Sequence, residues 1–275
     1  MQGYVLKSAN RSGFTLIELS IVLAIIGLIV GSVLAGRDMI RAAQLRSLIA
    51  ETQSYITAAN TFRAKYNCLP GDCDHATQLF GTASNCAGAT TATGTQTCDG
   101  DGNGQINIFD ATRTLYEQER VFQHLSSAGL IKGQYQLVTG GGGSGGYVGT
   151  NFPRSSINPS LAATIYWVGY NDVNNNNIYY TGDYGNVLTW GGVADESFAS
   201  QQVLNVAKLS TIDMQSIDGK LDDAMPGLGT VRAIGAPNGA GLGNNCSTSG
   251  IAATSQYNNS YTSGDACIPV FVRVF

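Results

Sequence analysis

The chain has 275 residues, of which 12% are charged, and it carries a formal net charge of −4 at pH 7. That length supplies a sizeable core and allows one domain or two small ones. Binding to nucleic-acid phosphates needs clustered Lys and Arg, so the acidic balance excludes a general nucleic-acid-binding surface. With 35 glycines and a charged share well below the usual value of about 25%, much of the chain is expected to be loop and turn.

The N-terminal segment contains an uncharged apolar run from Leu19 to Gly36. An apolar helix of about 20 residues crosses a bilayer, so we expect this run to span a membrane. The helical pattern continues from Arg37 to Tyr66 without Pro or Gly, and one face carries apolar or small residues at three-and-four spacing. That stripe comprises Leu45, Leu48, Thr52, Tyr55, Ala59, Phe62 and Tyr66. The sequence therefore predicts one helix of about 50 residues, half transmembrane and half amphipathic.

A secretory signal peptide is the alternative interpretation of this run, with a small-residue cleavage site at residues 33–35. Two features argue against it. The helical pattern does not stop at Ala35, and Glu18 lies within the apolar stretch, where an ionised carboxylate costs about 3 kcal/mol and usually marks function. A position near the lipid interface, with the carboxylate reaching the headgroups, is the alternative explanation of Glu18.

Residues 11–18, with the sequence Arg-Ser-Gly-Phe-Thr-Leu-Ile-Glu, resemble the prepilin cleavage and methylation motif of type IV pilins and type II secretion pseudopilins. The resemblance implies cutting between Gly13 and Phe14 by a membrane aspartic peptidase, followed by N-methylation of Phe14. It also implies that Glu18 guides assembly. In the apolar core of a filament, Glu18 would need a cationic partner, and the amino group of a neighbouring Phe14 would supply one.

This resemblance implies a structural subunit of a bacterial type IV pilus or type II secretion filament. Its expected partners are itself or other pilins, the prepilin peptidase and the inner-membrane assembly platform. We expect a single-pass protein of the bacterial inner membrane that then enters a periplasmic or extracellular filament. The predicted organisation is a leader over residues 1–13, an assembly helix over 14–36, an amphipathic half over 37–66 and a globular domain over 67–275.

A second resemblance, to a group of large and poorly characterised prepilin-like proteins, rests on shorter patches. These patches are residues 66–72, 99–104, 122–130 and 217–223. The extra cysteines of this chain and its glycine run at residues 140–146 depart from that group. The group adds no specific function to the interpretation.

Two other classes of function compete with the filament subunit. An enzyme is disfavoured because the sequence has no P-loop or His-Glu-x-x-His pattern, and Asp222 with Asp223 is interpreted as a turn. A minor tip pilin that acts as an adhesin or binds a ligand or DNA is the other alternative. Four tyrosines would suit that role if exposed, or would simply fill a sheet: Tyr147, Tyr179, Tyr180 and Tyr184.

The globular part is predicted to be α+β. Pro70 and Gly71 are expected to end the long helix. Further helices are predicted over residues 111–128 and 198–217, and β-branched and aromatic residues predict strands. The predicted strands are residues 164–170, 178–181, 186–190, 231–234 and 269–275. We therefore expect the long helix to pack on a small antiparallel sheet with loop-rich insertions, which is also the type IV pilin fold.

Six cysteines lie in this loop-rich part, and an even number suits disulfides in an oxidising compartment. The sequence leaves their connectivity open, and the close pairs are the predicted ones. These pairs are Cys68 with Cys73, Cys86 with Cys98, and Cys246 with Cys267. Zinc is the weaker alternative, because the two histidines, His75 and His124, form no zinc-like pattern with the cysteines.

An acidic loop at residues 99–110 has the spacing of a calcium-binding loop. Ca²⁺ takes about six to eight oxygen ligands, and an EF-hand loop supplies them from fixed positions around a glycine turn. The predicted ligands are Asp99, Asp101, Asn103, Gln105 through its carbonyl, and Asp110. The pattern resembles dockerin-like calcium loops, which also end in Asp. A solvated turn is the alternative, because Asp, Asn and Gly dominate turns for local reasons.

A weaker copy of this pattern follows at residues 172–183. Its candidate ligands are Asp172, Asn174, Asn176, Ile178 through its carbonyl, and Asp183. The segment carries fewer charges than the first loop, so it would bind Ca²⁺ more weakly. A hairpin turn is the favoured interpretation here.

Overall fold

The computed structural model describes residues 13–84, 86, 96–108, 117–136, 148–171, 180–192, 206–235, 245–249, 251–261 and 264–275. The chain divides into two compact units, one ending at Gln44 and the other beginning at Leu45. Helix α1 runs from Leu16 to Tyr66 and contributes residues to both units. The predicted long helix is therefore confirmed, with 51 residues.

The second half of α1 buries one face in the globular unit. The predicted stripe is confirmed by the burial of Leu45, Leu48, Thr52, Ala59 and Phe62, while Tyr55 and Tyr66 are half-buried. Burying each large apolar side chain stabilises the fold by about 1.5–3 kcal/mol relative to leaving it exposed. The amphipathic half is thus held by packing rather than by helix propensity alone.

Four antiparallel strands form the main sheet, in the order β1, β4, β6, β5. Their bounds are β1 Ala162–Trp167, β4 Asn186–Gly191, β5 Val231–Gly235 and β6 Cys267–Phe271. A separate two-stranded ribbon pairs β2, Tyr170–Asn171, with β3, Gly182–Asp183. The predicted α+β fold is confirmed, with a long helix packed on a small antiparallel sheet.

Trp190 of β4 ties this sheet to α1. Its indole Nε1 donates a 2.8 Å hydrogen bond to Thr52 Oγ1, and both residues are buried. The ring of Tyr55 lies 6.0 Å from that of Trp190 and 5.3 Å from that of Phe122. A buried donor left without a partner costs about 1–3 kcal/mol, so the Thr52 hydroxyl is the reason that a tryptophan can lie in this core.

Three shorter helices complete the described elements, together with 3-10 turns at Glu117–Glu119 and Ala252–Thr254. They are α2, Ala76–Phe80; α3, Val121–Ser127; and α4, Thr211–Leu221. The prediction of a helix over residues 111–128 is correct only in its last part. Residues 111–116 lie outside the described residues.

The prediction of a helix over residues 198–217 is wrong for the described part that precedes Thr211. Ser210 is the N-cap of α4, and its side chain accepts a hydrogen bond from the N–H of Asp213. The residues before it are extended, because Val206 pairs with Gly192 and Leu209 pairs with Cys267. The cap, rather than the hydrophobic pattern, decides where α4 begins.

Gly71 forms a close approach between the chain after α1 and the 3-10 turn. Its φ is +92°, and a Cβ at this position would lie 2.6 Å from the carbonyl oxygen of Glu117. Only glycine combines that backbone conformation with that contact. Gly71 therefore holds Glu117 beside the loop that follows Cys98.

Candidate functional site

The first unit presents apolar side chains along α1. Phe14 is 91% exposed and Leu16 89%, and the large apolar residues that follow, as far as Ile40, are each at least half exposed. Within the described part of the chain, α1 is the one helix that is long and apolar enough to cross a membrane. The region predicted to be a transmembrane assembly helix therefore has the required length and composition.

Glu18 lies in the first turn of α1 and forms a capping box with Thr15. Its Oε2 accepts hydrogen bonds of 2.8 Å from both the N–H and the hydroxyl of Thr15, and its own N–H donates to Thr15 Oγ1 at 3.3 Å. This reciprocal arrangement satisfies two of the backbone donors that a helix N-terminus leaves unpaired. The Thr-x-x-Glu spacing at residues 15–18 is the signal that could have predicted it.

In the acidic loop, the carboxylates of Asp99 and Asp101 accept hydrogen bonds from different segments of the chain. Asp99 turns its carboxylate away, towards α2, where Oδ1 accepts from the N–H of Thr77 at 2.7 Å and Oδ2 accepts from the Thr77 hydroxyl at 2.9 Å. Asp99 thus supplies the start of α2 with a cap that its own N-cap residue, His75, does not give. Asp110 lies outside the described residues.

The middle of the loop is held by local turns. Asp101 accepts hydrogen bonds from the backbone and side-chain amides of Asn103 at 3.0 and 2.8 Å, and Asn103 Oδ1 accepts from the N–H of Gln105 at 2.7 Å. These contacts are the Asx turns that the alternative interpretation expects. The side chains of Asp101 and Asn103 are hydrogen-bonded to each other, whereas that of Asp99 is hydrogen-bonded to Thr77.

Two buried carboxylates outside the predicted set hold the loop from beneath. Asp72 accepts from the N–H groups of Asn103 and Gly104, and Glu117 accepts from those of Asp101 and Asn107. One carboxylate oxygen from each of Asp72, Asp101 and Glu117 lies within 4.8 Å of the other two. This carboxylate trio is a further candidate cation site at the loop, and it shares Asp101 with the predicted ligand set.

The electrostatics of this trio favour a positive charge. Burial raises the pKa of Asp72 to about 6, although the N–H of Gly104 opposes the shift. Burial likewise raises the pKa of Glu117 to about 7, with a smaller contribution from the charges of Asp72 and Asp101. A cation among the three would stabilise the ionised forms that burial disfavours. Sequence reasoning missed Asp72 and Glu117 because they lie outside the loop.

The second predicted loop is mostly beyond what the structure describes. Asp172, Asn174, Asn176 and Ile178 lie outside the described residues, and Asp183 belongs to β3, where its Oδ2 is 3.4 Å from the Arg273 guanidinium. The structure therefore gives no further support to a cation site here. Of the four tyrosines considered for a binding face, Tyr180 and Tyr184 are buried, which agrees with the alternative that they fill the interior. Tyr147 and Tyr179 lie outside the described residues.

The six cysteines form three disulfides, with no free cysteine among the described residues. They join Cys68 to Cys73, Cys86 to Cys98, and Cys246 to Cys267, which are the pairs chosen from the sequence. A disulfide sulfur is not the thiolate that binds zinc, so the grouping of Cys68, Cys73 and His75 is not a zinc site in this form. His124 is fully buried, which agrees with a packing role.

Comparison with known proteins finds a family match for one segment of the chain. Residues 8–34 match the family model described as the prokaryotic N-terminal methylation motif, the prepilin-type signature of type IV pilins and pseudopilins. The motif supports a type IV pilin-like or pseudopilin protein, and proteins of that kind are structural rather than enzymatic. No curated protein and no solved structure matches the chain.

Proposed function

We propose that this protein is a structural subunit of a bacterial type IV pilus or type II secretion filament, a pilin or pseudopilin that is processed by prepilin peptidase and assembled through α1. The observation that carries the proposal is the methylation motif at residues 8–34, which includes the start of the exposed apolar helix α1. Soluble monomers rarely expose apolar patches larger than a few hundred Å². A bilayer before assembly and neighbouring helices after it would cover this surface.

The position of Glu18 supports the same function. Its carboxylate is exposed at the start of α1, and in the mature chain it would lie four residues after the new amino terminus of Phe14. Among packed apolar helices, an ionised carboxylate is stable only when a cation compensates it. The amino group of Phe14 in a neighbouring subunit has the required charge, so the pair would set the axial register of the filament.

We also propose that Ca²⁺ stabilises the acidic loop, with Asp72, Asp101 and Glu117 as its carboxylate ligands. Hard cations take oxygen ligands, and backbone carbonyls and water would complete the coordination of about six to eight oxygens. A cavity of about 420 Å³ is lined in part by Asp72, Gly102 and Gly104, and Arg63 and Arg273 also line it. This arrangement keeps Asp99 as the cap of α2.

Mass spectrometry of the membrane form tests the maturation step. We expect a mature chain that begins with N-methylated Phe14, and we expect Gly13→Val to leave the leader attached because it places a branched side chain at the cleavage position. Gly36→Val is the matched control, since a Cβ there meets nothing within 4 Å and the residue follows the alternative signal-peptide site. A mature terminus at Gly36 in the unaltered chain would overturn the proposed function.

A further inference from the structure

A second group of carboxylates lies at the end of α4, far along the chain from the acidic loop. One oxygen from each of Asp218, Asp222 and Asp223 lies within 4.8 Å of the other two. Asp222 and Asp223 are exposed, whereas Asp218 is fully buried. The group thus places one buried carboxylate beside two that are exposed to solvent.

The buried member of the group is incompletely satisfied. Asp218 Oδ2 accepts a 2.7 Å hydrogen bond from the hydroxyl of Tyr257, but Oδ1 is buried without a hydrogen-bond partner. A buried carboxylate oxygen without a hydrogen-bond partner destabilises the fold more than a neutral acceptor in the same position would. An unpaired carboxylate oxygen beside two further carboxylates is therefore an observation that points to a bound cation.

The local backbone makes the group of like charges more costly still. The C-terminal end of a helix carries a partial negative charge, which favours cations and disfavours carboxylates. Here all three carboxylates lie at the end of α4, which terminates at Leu221.

Hydrogen bonds fix the positions of the carboxylates. Asp222 Oδ2 accepts from the backbone N–H groups of Thr230 and Val231, so it joins the end of α4 to the start of β5. Asp223 Oδ1 accepts from the N–H of Met225 at 2.8 Å. These contacts occupy one oxygen of each exposed carboxylate and leave the other for a ligand.

We infer that Asp218, Asp222 and Asp223 form a second divalent-cation site, with Ca²⁺ as its ligand. The ligand atoms are all carboxylate oxygens, which suit a hard cation better than zinc, whose structural sites use Cys and His. Ca²⁺ accepts irregular coordination completed by water, whereas Mg²⁺ demands near-ideal octahedral geometry. The ion would join α4, the start of β5 and the segment that contains Tyr257. The next residue, Asn258, donates a 3.0 Å backbone hydrogen bond to the carbonyl oxygen of Cys246.

Calorimetric titration of the full chain in detergent, stripped of metal by a chelator, tests this site. We expect Asp218→Asn and Asp223→Asn each to remove one equivalent of bound Ca²⁺, or to weaken its binding at least tenfold. Asp265→Asn, which neutralises an exposed carboxylate outside the group, should bind as the unaltered chain does. Mg²⁺ should bind at least tenfold more weakly than Ca²⁺.

The outcomes separate this site from the acidic loop. Asp101→Asn should leave the equivalent that depends on Asp218 unchanged, whether or not the loop itself binds Ca²⁺. If Asp218→Asn does not fold, Asp223→Asn decides, because its side chain is exposed and asparagine can still accept from Met225. The inference would be overturned if Asp223→Asn bound Ca²⁺ as Asp265→Asn does. It would also be overturned if neither Asp218→Asn nor Asp223→Asn removed or weakened any Ca²⁺ binding.

Discussion

His124 is a buried residue of α3 whose two ring nitrogens are both hydrogen-bonded. The N–H of Gly71 donates to Nδ1 at 3.0 Å, so Nδ1 carries no proton, and Nε2 lies 2.9 Å from Thr97 Oγ1 and donates to it. Burial, with a smaller effect of the Arg120 charge, lowers the pKa of His124 to about 3. The neutral imidazole therefore links the turn after α1 to the segment of the Cys86–Cys98 disulfide.

This geometry predicts a specific loss of stability in acid. Between pH 6.5 and about 3 the unfolded chain binds a proton at His124 that the folded chain does not, so the free energy of unfolding falls as pH falls. One such group contributes about 1.4 kcal/mol per pH unit in this window. When chemical denaturation is followed from pH 7.5 to pH 4.5, we expect the unaltered chain to lose stability relative to His124→Gln at this rate below pH 6.5, with little difference above it.

The comparison with His124→Gln is needed because other groups act in the opposite direction. The buried carboxylates Asp72, Glu117 and Asp218 have raised pKa values, so each favours the folded state as pH falls through its folded pKa towards its unfolded one. Their contribution is common to both proteins and cancels in the difference. Parallel stability curves for the two proteins would contradict the assignment of a neutral, buried His124.

At the scale of elements, the acidic loop has two separate tasks in this fold. Asp99 caps α2, while Asp101 with Asp72 and Glu117 forms the candidate cation site. Without a cation, three carboxylates lie together and two of them are buried. The loop should therefore contribute less to stability when calcium is removed.

Thermal unfolding of the full chain in detergent, with Ca²⁺ and with a chelator, tests this loop. Binding to the folded state alone adds about 2.7 kcal/mol at a hundredfold excess over Kd, so Ca²⁺ should raise the melting temperature by several degrees. We expect Asp101→Asn to lose part of this increase, and the control Asp265→Asn to keep it. If Ca²⁺ raised the melting temperature equally in both variants, the loop would be a set of Asx turns and not a calcium site.

The sequence predicted the elements whose signals are local. Eighteen uncharged residues, followed by a segment without Pro or Gly that carries an apolar stripe, were sufficient to predict α1. The β-branched residues located the ends of β4 and β5 to within one residue. The start of α4 was misplaced because the Ser210 cap outweighs the pattern before it. The carboxylate partners could not be predicted, since Asp72 meets Gly104, and Asp218 meets Tyr257, only through tertiary contacts.

At the scale of the whole molecule, Glu18 has one role in the structure, as part of a helix cap, and a second role in the proposed filament, as a charge. Different substitutions can distinguish the two roles. The carboxylate caps α1 through Thr15, which is a local contribution to one helix. The same carboxylate carries the charge that the proposed filament would pair with the amino group of Phe14. A single substitution to alanine removes both contributions at once, so its effect on assembly would not distinguish them.

Three variants distinguish the cap from the charge. Glu18→Gln keeps an oxygen that accepts from Thr15, because glutamine also completes a capping box, but it removes the charge. Thr15→Ala removes the cap and keeps the charge, at a cost of about 1 kcal/mol in helix stability. Glu18→Ala removes both, and it should still insert into the membrane because it takes a polar group out of an apolar span.

Membrane levels and the yield of sheared filaments, measured for each variant, test the assembly step. We expect all three variants to reach the membrane at normal levels. Glu18→Gln and Glu18→Ala should each lose most of the filament yield, whereas Thr15→Ala should keep most of it, because only the charge can pair with a neighbouring amino group. Normal filaments from Glu18→Gln would show that the charge has no part in assembly, and a loss confined to Thr15→Ala and Glu18→Ala would assign the effect to the helix cap.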